Sequence, residues 1–458
     1  MMFSDTLQNL VSGLGTDRDK LAHTQFTSNV LPLASLDAMY ISDWIAGTII
    51  DAPCDDMVRE WRSWKAGPRQ LEAIENAEKA LGLRQVLNHC LKLARLYGGS
   101  AMLIGTGDPN PELPINPDRV RKGGIRYITA LSRWEIGCGE IDRDPLSPTY
   151  GEPIHYELHT NGEGVVQIHP SRVIRFHGIK QLGMQTSVDG WGTSILQRVY
   201  DAVQQASSVS ANIASLAYEA KVDIIKIPGL TQNVVNPAYQ AALLTRLRLA
   251  QRGKSTTSAL LLDACEEWEQ KQLHFSGYPD LISKFLEIAA GAANMPVTRL
   301  LGKSPSGLNS TGEADLRHYY DTLHSRQEME LTPAMARFDQ LLIRHALGTA
   351  PKKDVWYQWN PLWQMSQKEL AAVGLSQAQT TQLYSLMGVM PPDALREAAQ
   401  AQLADTGIYP GLEGILEKHT GKKSEPLNPK EVAGARATAT ARSSGTGRPA
   451  ADADAGKD

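Results

Sequence analysis

PVTRLLGKSPSGLNSTGEADLRHYYD, residues 296–321, is the stretch on which the reading of this chain turns. Its first half is rich in Gly, Ser and Pro and carries one lysine, Lys303. Residues of that kind at that density mark a loop. The loop ends in Ser310-Thr311-Gly312-Glu313, an S-x-x-E capping box. There the Ser310 hydroxyl can accept from the Glu313 backbone N–H, and the Glu313 carboxylate can accept from Ser310 in return. A long helix is expected over 313–347, about 50 Å at 1.5 Å per residue. Pro333 must kink or restart it, because proline cannot donate the i→i−4 bond.

Upstream of the loop, LISKFLEIAAGAANM reads as a helix broken by Pro296. Before it lies a compact insert, residues 221–278. There KVDIIKIPGL, TTSALLLD and EEWEQKQLHF read as strands around an amphipathic helix at 236–252. WGTSILQRVYDAVQQASSVSANIASLAYEA, residues 191–220, reads as one long helix. Gly192 or Thr193 can cap it, and Ile195, Leu196, Val199 and Val203 mark its apolar face. Its second half is rich in Ala and Ser, small residues that let a neighbouring helix approach closely.

The first 190 residues read as an α+β unit with helices ahead of strands. Residues 1–35 are a weakly patterned arm. A helix beginning near Leu36 is expected to end at Pro53, and two amphipathic helices occupy 68–97, closed by Gly98-Gly99. SAMLIGTG, RYITALSRWEIG, HYELHT, VVQIHP and VIRFHG read as short strands. Beyond the long helix, VWYQWNPLW is a strand entering a turn, 366–402 is helical with a break at Pro391-Pro392, and 421–458 has the composition of a disordered tail. The fold class is therefore α+β and helix-rich.

Composition is that of a globular protein: 458 residues, 42% hydrophobic and 21% charged, enough for two or three domains. The formal net charge of −4 excludes a whole-chain basic surface, so any DNA contact must be loose or confined to one loop. Cys54, Cys90, Cys138 and Cys265 are far apart in sequence, as expected of isolated thiols rather than a zinc or redox pair. No run of 18 apolar residues appears, so no membrane partner is expected.

Enzyme motifs fail one by one. The two GKS triplets, at 253–255 and 302–304, have Arg248 and Val297 where a phosphate-binding loop needs its first glycine. There is no GxSxG elbow and no HExxH. His155 and His159 share a strand face, but no further ligand completes a metal set. Asp55-Asp56 and Glu266, Glu267 and Glu269 read as solvated carboxylates. A two-histidine phosphoesterase needs two H-x-T/S triplets on facing strands, and His169-Pro170-Ser171 is taken as the one match. The expectation is a chain that is not an enzyme and uses no cofactor.

DWIAGTIIDAPCDDMVREW (43–61), LARLYGGSAMLIG (93–105), RFHG (175–178) with GWGTSILQRVYDAV (190–203), the opening stretch at 296–321 and WNPLW (359–363) recur in this order in one family. The chain resembles the portal proteins of tailed bacteriophages, the head-tail connectors, in the branch carried under an uncharacterised-domain label. The resemblance implies a portal fold: a wing over 36–199 and 313–364, stem helices at 200–220 and 279–296, a clip at 221–278, a channel loop at 297–312 and a crown at 365–420. It makes Lys303, Ser304, Pro305, Ser306, Gly307, Leu308 and Asn309 the DNA-facing residues, Ser310 and Glu313 the loop-helix cap, and Pro333 the helix kink. It also implies a closed homo-oligomer of about twelve copies. Its partners would be double-stranded DNA held without sequence preference, the terminase large subunit, a head-tail adaptor, the major capsid protein and scaffold. Its place would be the virion, after assembly in the host cytoplasm. Family relatives act in defence evasion, where a portal-like segment is joined to a cyclic-nucleotide hydrolase. That leaves a phage-encoded phosphodiesterase as the alternative reading.

Overall fold

The computed structural model describes residues 30–160, 164–180, 190–218, 221–226, 236–257, 267–272, 277–302, 312–351, 354–364 and 367–405. The chain divides into two compact units, 1–363 and 364–458. In the first, helices α1 (Leu33–Ser42), α2 (Trp44–Arg59), α3 (Pro68–Leu81) and α4 (Leu83–Tyr97) precede most of the strands. β1 (Arg62–Lys65) lies between α2 and α3, and β2 (Gly99–Gly105) follows α4. β3 (Tyr127–Ser132), β4 (Ile136–Cys138), β5 (Tyr156–Thr160), β6 (Gly164–Ile168) and β7 (Val173–His177) complete this half. β2 is the centre of an antiparallel sheet ordered β3-β2-β7, and β4-β5-β6 forms a second. The helix-first, strand-second order expected from the sequence is what the chain adopts.

Two local rules explain the turn from α4 into β2. Gly98 caps α4 at φ +89°, and a Cβ there would lie 2.5 Å from the Gly192 carbonyl oxygen. Only glycine combines that dihedral with that approach. The result seats β2 between the apolar face of α4 and the segment leading to α5 (Ile195–Tyr218). Ile195, Leu196, Val199 and Val203 of α5 are buried, as their spacing requires. The expected cap is displaced: Ser194 accepts from the Leu196 N–H at 3.1 Å, while Thr193 pairs with Ile179 in an isolated β-bridge.

Pro53 does not end its helix; α2 runs through it to Arg59. A proline at 53 leaves the Ile49 carbonyl without its i→i−4 donor. Arg95 of α4 supplies the missing hydrogen bond, donating from Nη2 to Ile49 O at 2.8 Å. Tertiary packing thus overrides the local break. The start of α2 follows the ordinary rule, with the Asp43 carboxylate accepting from Ile45 and Ala46.

Strands β8 (Lys221–Lys226) and β9 (Glu267–Gln272) pair antiparallel, with α6 (Pro237–Thr257) between them in sequence. Thr256 and Thr257, expected in a strand, complete that helix instead. α7 (Tyr278–Ala292) packs against α5 through small residues, with Ala206, Ala289 and Ala290 fully buried. Past Ala206, the described side chains of α5 are mostly exposed.

The long helix forms as α9 (Glu313–Arg326), a five-residue π segment (Gln327–Leu331) and α10 (Thr332–Leu347). Pro333 falls in the first turn of α10, where its missing N–H costs least. The π turn absorbs the mismatch, and Thr332 donates from Oγ1 to the Gln327 carbonyl at 3.1 Å. β10 (Trp356–Trp359) then pairs with β1 in the register Arg62↔Trp359. The second unit holds α11 (Gln367–Met387) and α12 (Pro392–Asp405), divided at Pro391-Pro392 as expected.

Candidate functional site

The described residue ranges meet the 303–311 segment at Gly302 and Gly312, and both flanks are tied to α2. On the upstream side Pro296 is the N-cap of a short helix, α8 (Val297–Leu301), where the sequence reading expects loop. Arg299 of α8 donates to Asp56 of α2 in a bidentate pair, Nε to Oδ2 at 2.8 Å and Nη2 to Oδ1 at 3.1 Å. On the downstream side Tyr319 of α9 donates its hydroxyl to the same Oδ2 at 3.2 Å. One carboxylate therefore holds both ends of the segment. Hydrogen bonding to Asp56 outweighs partial burial and raises the Arg299 pKa, so the guanidinium stays charged.

Neighbouring bonds extend the clamp. Arg59 donates to the Leu362 carbonyl at 2.6 Å and stands 5.1 Å over the Tyr320 ring. Gln327, fully buried at the start of the π turn, donates to the Met57 carbonyl at 2.6 Å.

Asp56 corrects a sequence reading. It is 2% exposed, not part of a solvated run. The signal was present: Ile45, Ile49, Ala52 and Asp56 follow helical spacing and share the buried face of α2. A charge on an apolar stripe must be paired, which itself predicts a partner such as Arg299.

Lys303, Ser304, Pro305, Ser306, Gly307, Leu308, Asn309 and Ser310 lie outside the described residues. The capping box does not set the helix start. The N-cap is Gly312 at φ +57°, and Glu313 is the first helical residue rather than the third. Glycine tolerates that left-handed conformation, so the helix begins two residues later than Ser310 would place it.

A second buried charge cluster holds the same framework. Arg62 of β1 pairs with Glu78 of α3 and with Asp339 of α10, each at 2.7 Å. Trp61 and Trp64 donate their indole N–H groups to Glu78 at 2.8 and 3.1 Å. The Arg62 guanidinium lies 4.3 Å from the centroid of the Tyr357 ring on β10. Burial opposes its charge, but Asp339 and Glu78 together raise its pKa. Trp61 and Trp64 meet Trp359 and Tyr357 of β10 here, at ring-centroid distances of 5.7 and 5.0 Å respectively.

Among the described residues no group of three or more His, Cys, Asp or Glu could hold a metal. His155 lies 3.4 Å from Glu157. Burial pushes the Cys54 thiol up to about 12, which makes it inert at neutral pH. His169 caps a 3-10 turn, Pro170–Arg172, its Nδ1 accepting from the Ser171 N–H at 3.1 Å. That bond leaves the ring proton on Nε2. Burial and the charges of Arg172 and Arg337 lower its pKa.

The chain is similar to two proteins named Anti-CBASS protein Acb1. One is from Caulobacter sp. (strain RHG1), 41% identical over 93% of this chain and 70% of the relative. The other is from Sphingomonas paeninsulae, 37% identical over 91% of this chain and 68% of the relative. Those names overturn the expectation that the chain is not an enzyme. The motif count behind that expectation was also incomplete: His274-Phe275-Ser276 is a second H-x-S triplet, outside the described residues. Among solved structures, the chain is similar to one from the virion of a native gene transfer agent particle. That match has 13% identity, covers 85% of this chain and 98% of that one, and has a TM-score of 0.49. An HK97 family phage portal protein from Corynebacterium diphtheriae matches at 10% identity over 73% of this chain and 97% of that one, with a TM-score of 0.37. The family model for phage portal protein matches residues 34–383, from α1 through the 303–311 segment into α11, and the chain belongs to that family.

Proposed function

We propose that the chain is the subunit of a portal ring, about twelve copies closed around a channel for double-stranded DNA at one vertex of a virion. The observation that carries this is the family match over 34–383. In this reading 36–199 and 313–364 are the wing, 200–220 and 279–296 the stem helices, 221–278 the clip, 365–420 the crown, and 1–35 and 421–458 an arm and a tail. Lys303, Ser304, Pro305, Ser306, Gly307, Leu308 and Asn309 face the DNA. The exposed Ala/Ser-rich end of α5 suits close packing against the next subunit. The modest net charge suits DNA that must slide, since a strongly basic bore would hold it by counterion release. The Asp56 clamp fixes both ends of the loop to α2 while leaving the loop itself to the channel. The clip docks the terminase large subunit during packaging and a head-tail adaptor afterwards, and the ring nucleates the head with major capsid protein and scaffold.

The test is assembly followed by packaging. Purified protein, alone or with capsid protein and scaffold, gives rings of about a dozen subunits by electron microscopy and light scattering. Lys303→Ala keeps the ring and changes genome packaging or retention. A chain that stays monomeric even with its capsid partners, or a Lys303→Ala particle that packages and retains normally, overturns the ring or the loop assignment respectively.

A second reading, a phosphodiesterase acting in defence evasion, is favoured by the names of the two relatives. It makes His169 and His274 the paired histidines. Hydrolysis of a cyclic nucleotide that is lost in both His169→Ala and His274→Ala supports it; no hydrolysis by the intact chain sinks it.

A further inference from the structure

A cleft of about 820 Å³ opens beside the π turn, between α4, β7, α5 and α10. Six cations line it: Arg95, Arg175, Lys180, Arg198, Arg326 and Arg337. Glu152 and Glu330 are the carboxylates that line it, leaving an excess of four positive charges. The cations come from separate elements yet act on common neighbours. Arg175 and Arg337 both bear on Tyr156, and Arg175 and Lys180 both bear on His177. Arg95 and Arg326 repel one another. Like charges gathered in one concavity attract an anion.

Two further features point the same way. The Arg95 Nε is enclosed and has no hydrogen-bond partner. Arg326, Met329 and Glu330 bring the edge of the π turn into the wall, and π turns recur at functional sites.

We propose that this cleft binds a small ligand carrying two or more phosphate groups. The guanidinium fork matches a phosphate bidentately, which explains arginine at five of the six positions. The volume lies within the range of about 300–1,000 Å³ that holds nucleotide-sized ligands, and is far too small for a duplex. A duplex does not fit it, and the inference does not rest on the portal reading.

Calorimetric titration of the full chain tests it with two probes, inorganic pyrophosphate and a short single-stranded DNA. Saturable binding of pyrophosphate places the phosphates on a free small molecule; binding of the oligonucleotide alone places them on a strand end. In either case the Arg198→Gln, Arg326→Gln double variant weakens binding at least about tenfold for each lost guanidinium. Glu330→Gln, which removes an opposing charge, tightens it. The thermal midpoint of the unliganded variants stays near that of the parent, so lost binding is not lost folding. No saturable binding of either probe at millimolar concentration, or binding unchanged in the double variant, overturns the assignment.

Discussion

The clamp at Asp56 makes an asymmetric prediction. Arg299 and Asp56 share two short bonds, but they are buried unequally: the Asp56 side chain is 2% exposed and that of Arg299 is 36% exposed. Removing Arg299 leaves a buried carboxylate with the Tyr319 hydroxyl at 3.2 Å and Arg59 no nearer than 3.8 Å. That is an uncompensated interior charge, and Arg299→Ala should cost about 3 kcal/mol, the low end for breaking a buried pair because one partner is partly solvated. Removing the carboxylate charge instead, with Asp56→Asn, leaves a guanidinium that water can reach. The amide keeps the shape and can still accept from Tyr319, so the cost should be about 1 kcal/mol. At roughly 2–4 °C per kcal/mol for a unit of this size, the two variants should separate by several degrees in a thermal melt. Equilibrium denaturation by urea gives the free energies directly. Asp56→Asn losing as much as Arg299→Ala would show that the guanidinium, not the carboxylate, is the group that cannot bear isolation, and the argument from unequal burial would fail.

The bridging of Pro53 is open to a double-mutant cycle. Arg95→Met alone should cost about 2 kcal/mol, because it strands the Ile49 carbonyl; in a Pro53→Ala background, where the substituted residue supplies its own backbone N–H, it should cost about 1 kcal/mol less. Equal losses in both backgrounds, measured by urea denaturation, would separate Arg95 from the helix break. At the start of α9, Gly312→Ala should cost about 1 kcal/mol through its φ of +57°, whereas Ser310→Ala should change the thermal midpoint little; the reverse ranking would restore Ser310 as the cap. His177 gives a pH dependence. Burial first, then Arg175 and Lys180, pushes its pKa down to about 4 from an ordinary value of 6.5. The unfolded chain takes up a proton between those values that the folded chain refuses. Its contribution is therefore fully present above pH 6.5 and is lost as pH falls toward 4, amounting to about 3 kcal/mol. His177→Gln should flatten the stability profile across that window, and an unchanged profile would sink the attribution.

Where the sequence was legible, a single physical signal dominated. Helical periodicity placed α3, α4 and the buried face of α5, and Gly98 marked the end of α4 because no other residue fits its dihedral and its approach to Gly192. Illegible places were those where a distant residue decides. Pro53 breaks helices by a local rule, and only Arg95, 42 positions on, makes the rule fail. Asp56 beside Asp55 resembles a solvated pair until Arg299 and Tyr319 arrive from either side of the 303–311 segment. The S-x-x-E box misplaced the helix start for the opposite reason: Gly312, inside the motif, takes a left-handed dihedral, and the helix begins at Glu313.

In the proposed ring, 303–311 is a channel loop held at both ends. A capping box would lock the loop's end to the helix through its own hydroxyl, and any movement of the loop would disturb the helix start. A glycine N-cap has no side chain to make that link. The helix is instead fixed from behind: by Tyr319 on Asp56 two turns in, by Gln327 on the Met57 carbonyl, and by the π turn that lets Pro333 continue into α10. The upstream flank ends in the same way, at Gly302 with φ +64° just past α8, with Arg299 one turn behind it on the same carboxylate. Both flanks thus place a glycine between the anchored helix and the 303–311 segment. The side-chain anchors converge on α2, and each junction is a glycine in the left-handed conformation. In the proposed ring, that division would keep contacts between the loop and passing DNA from reaching the subunit core.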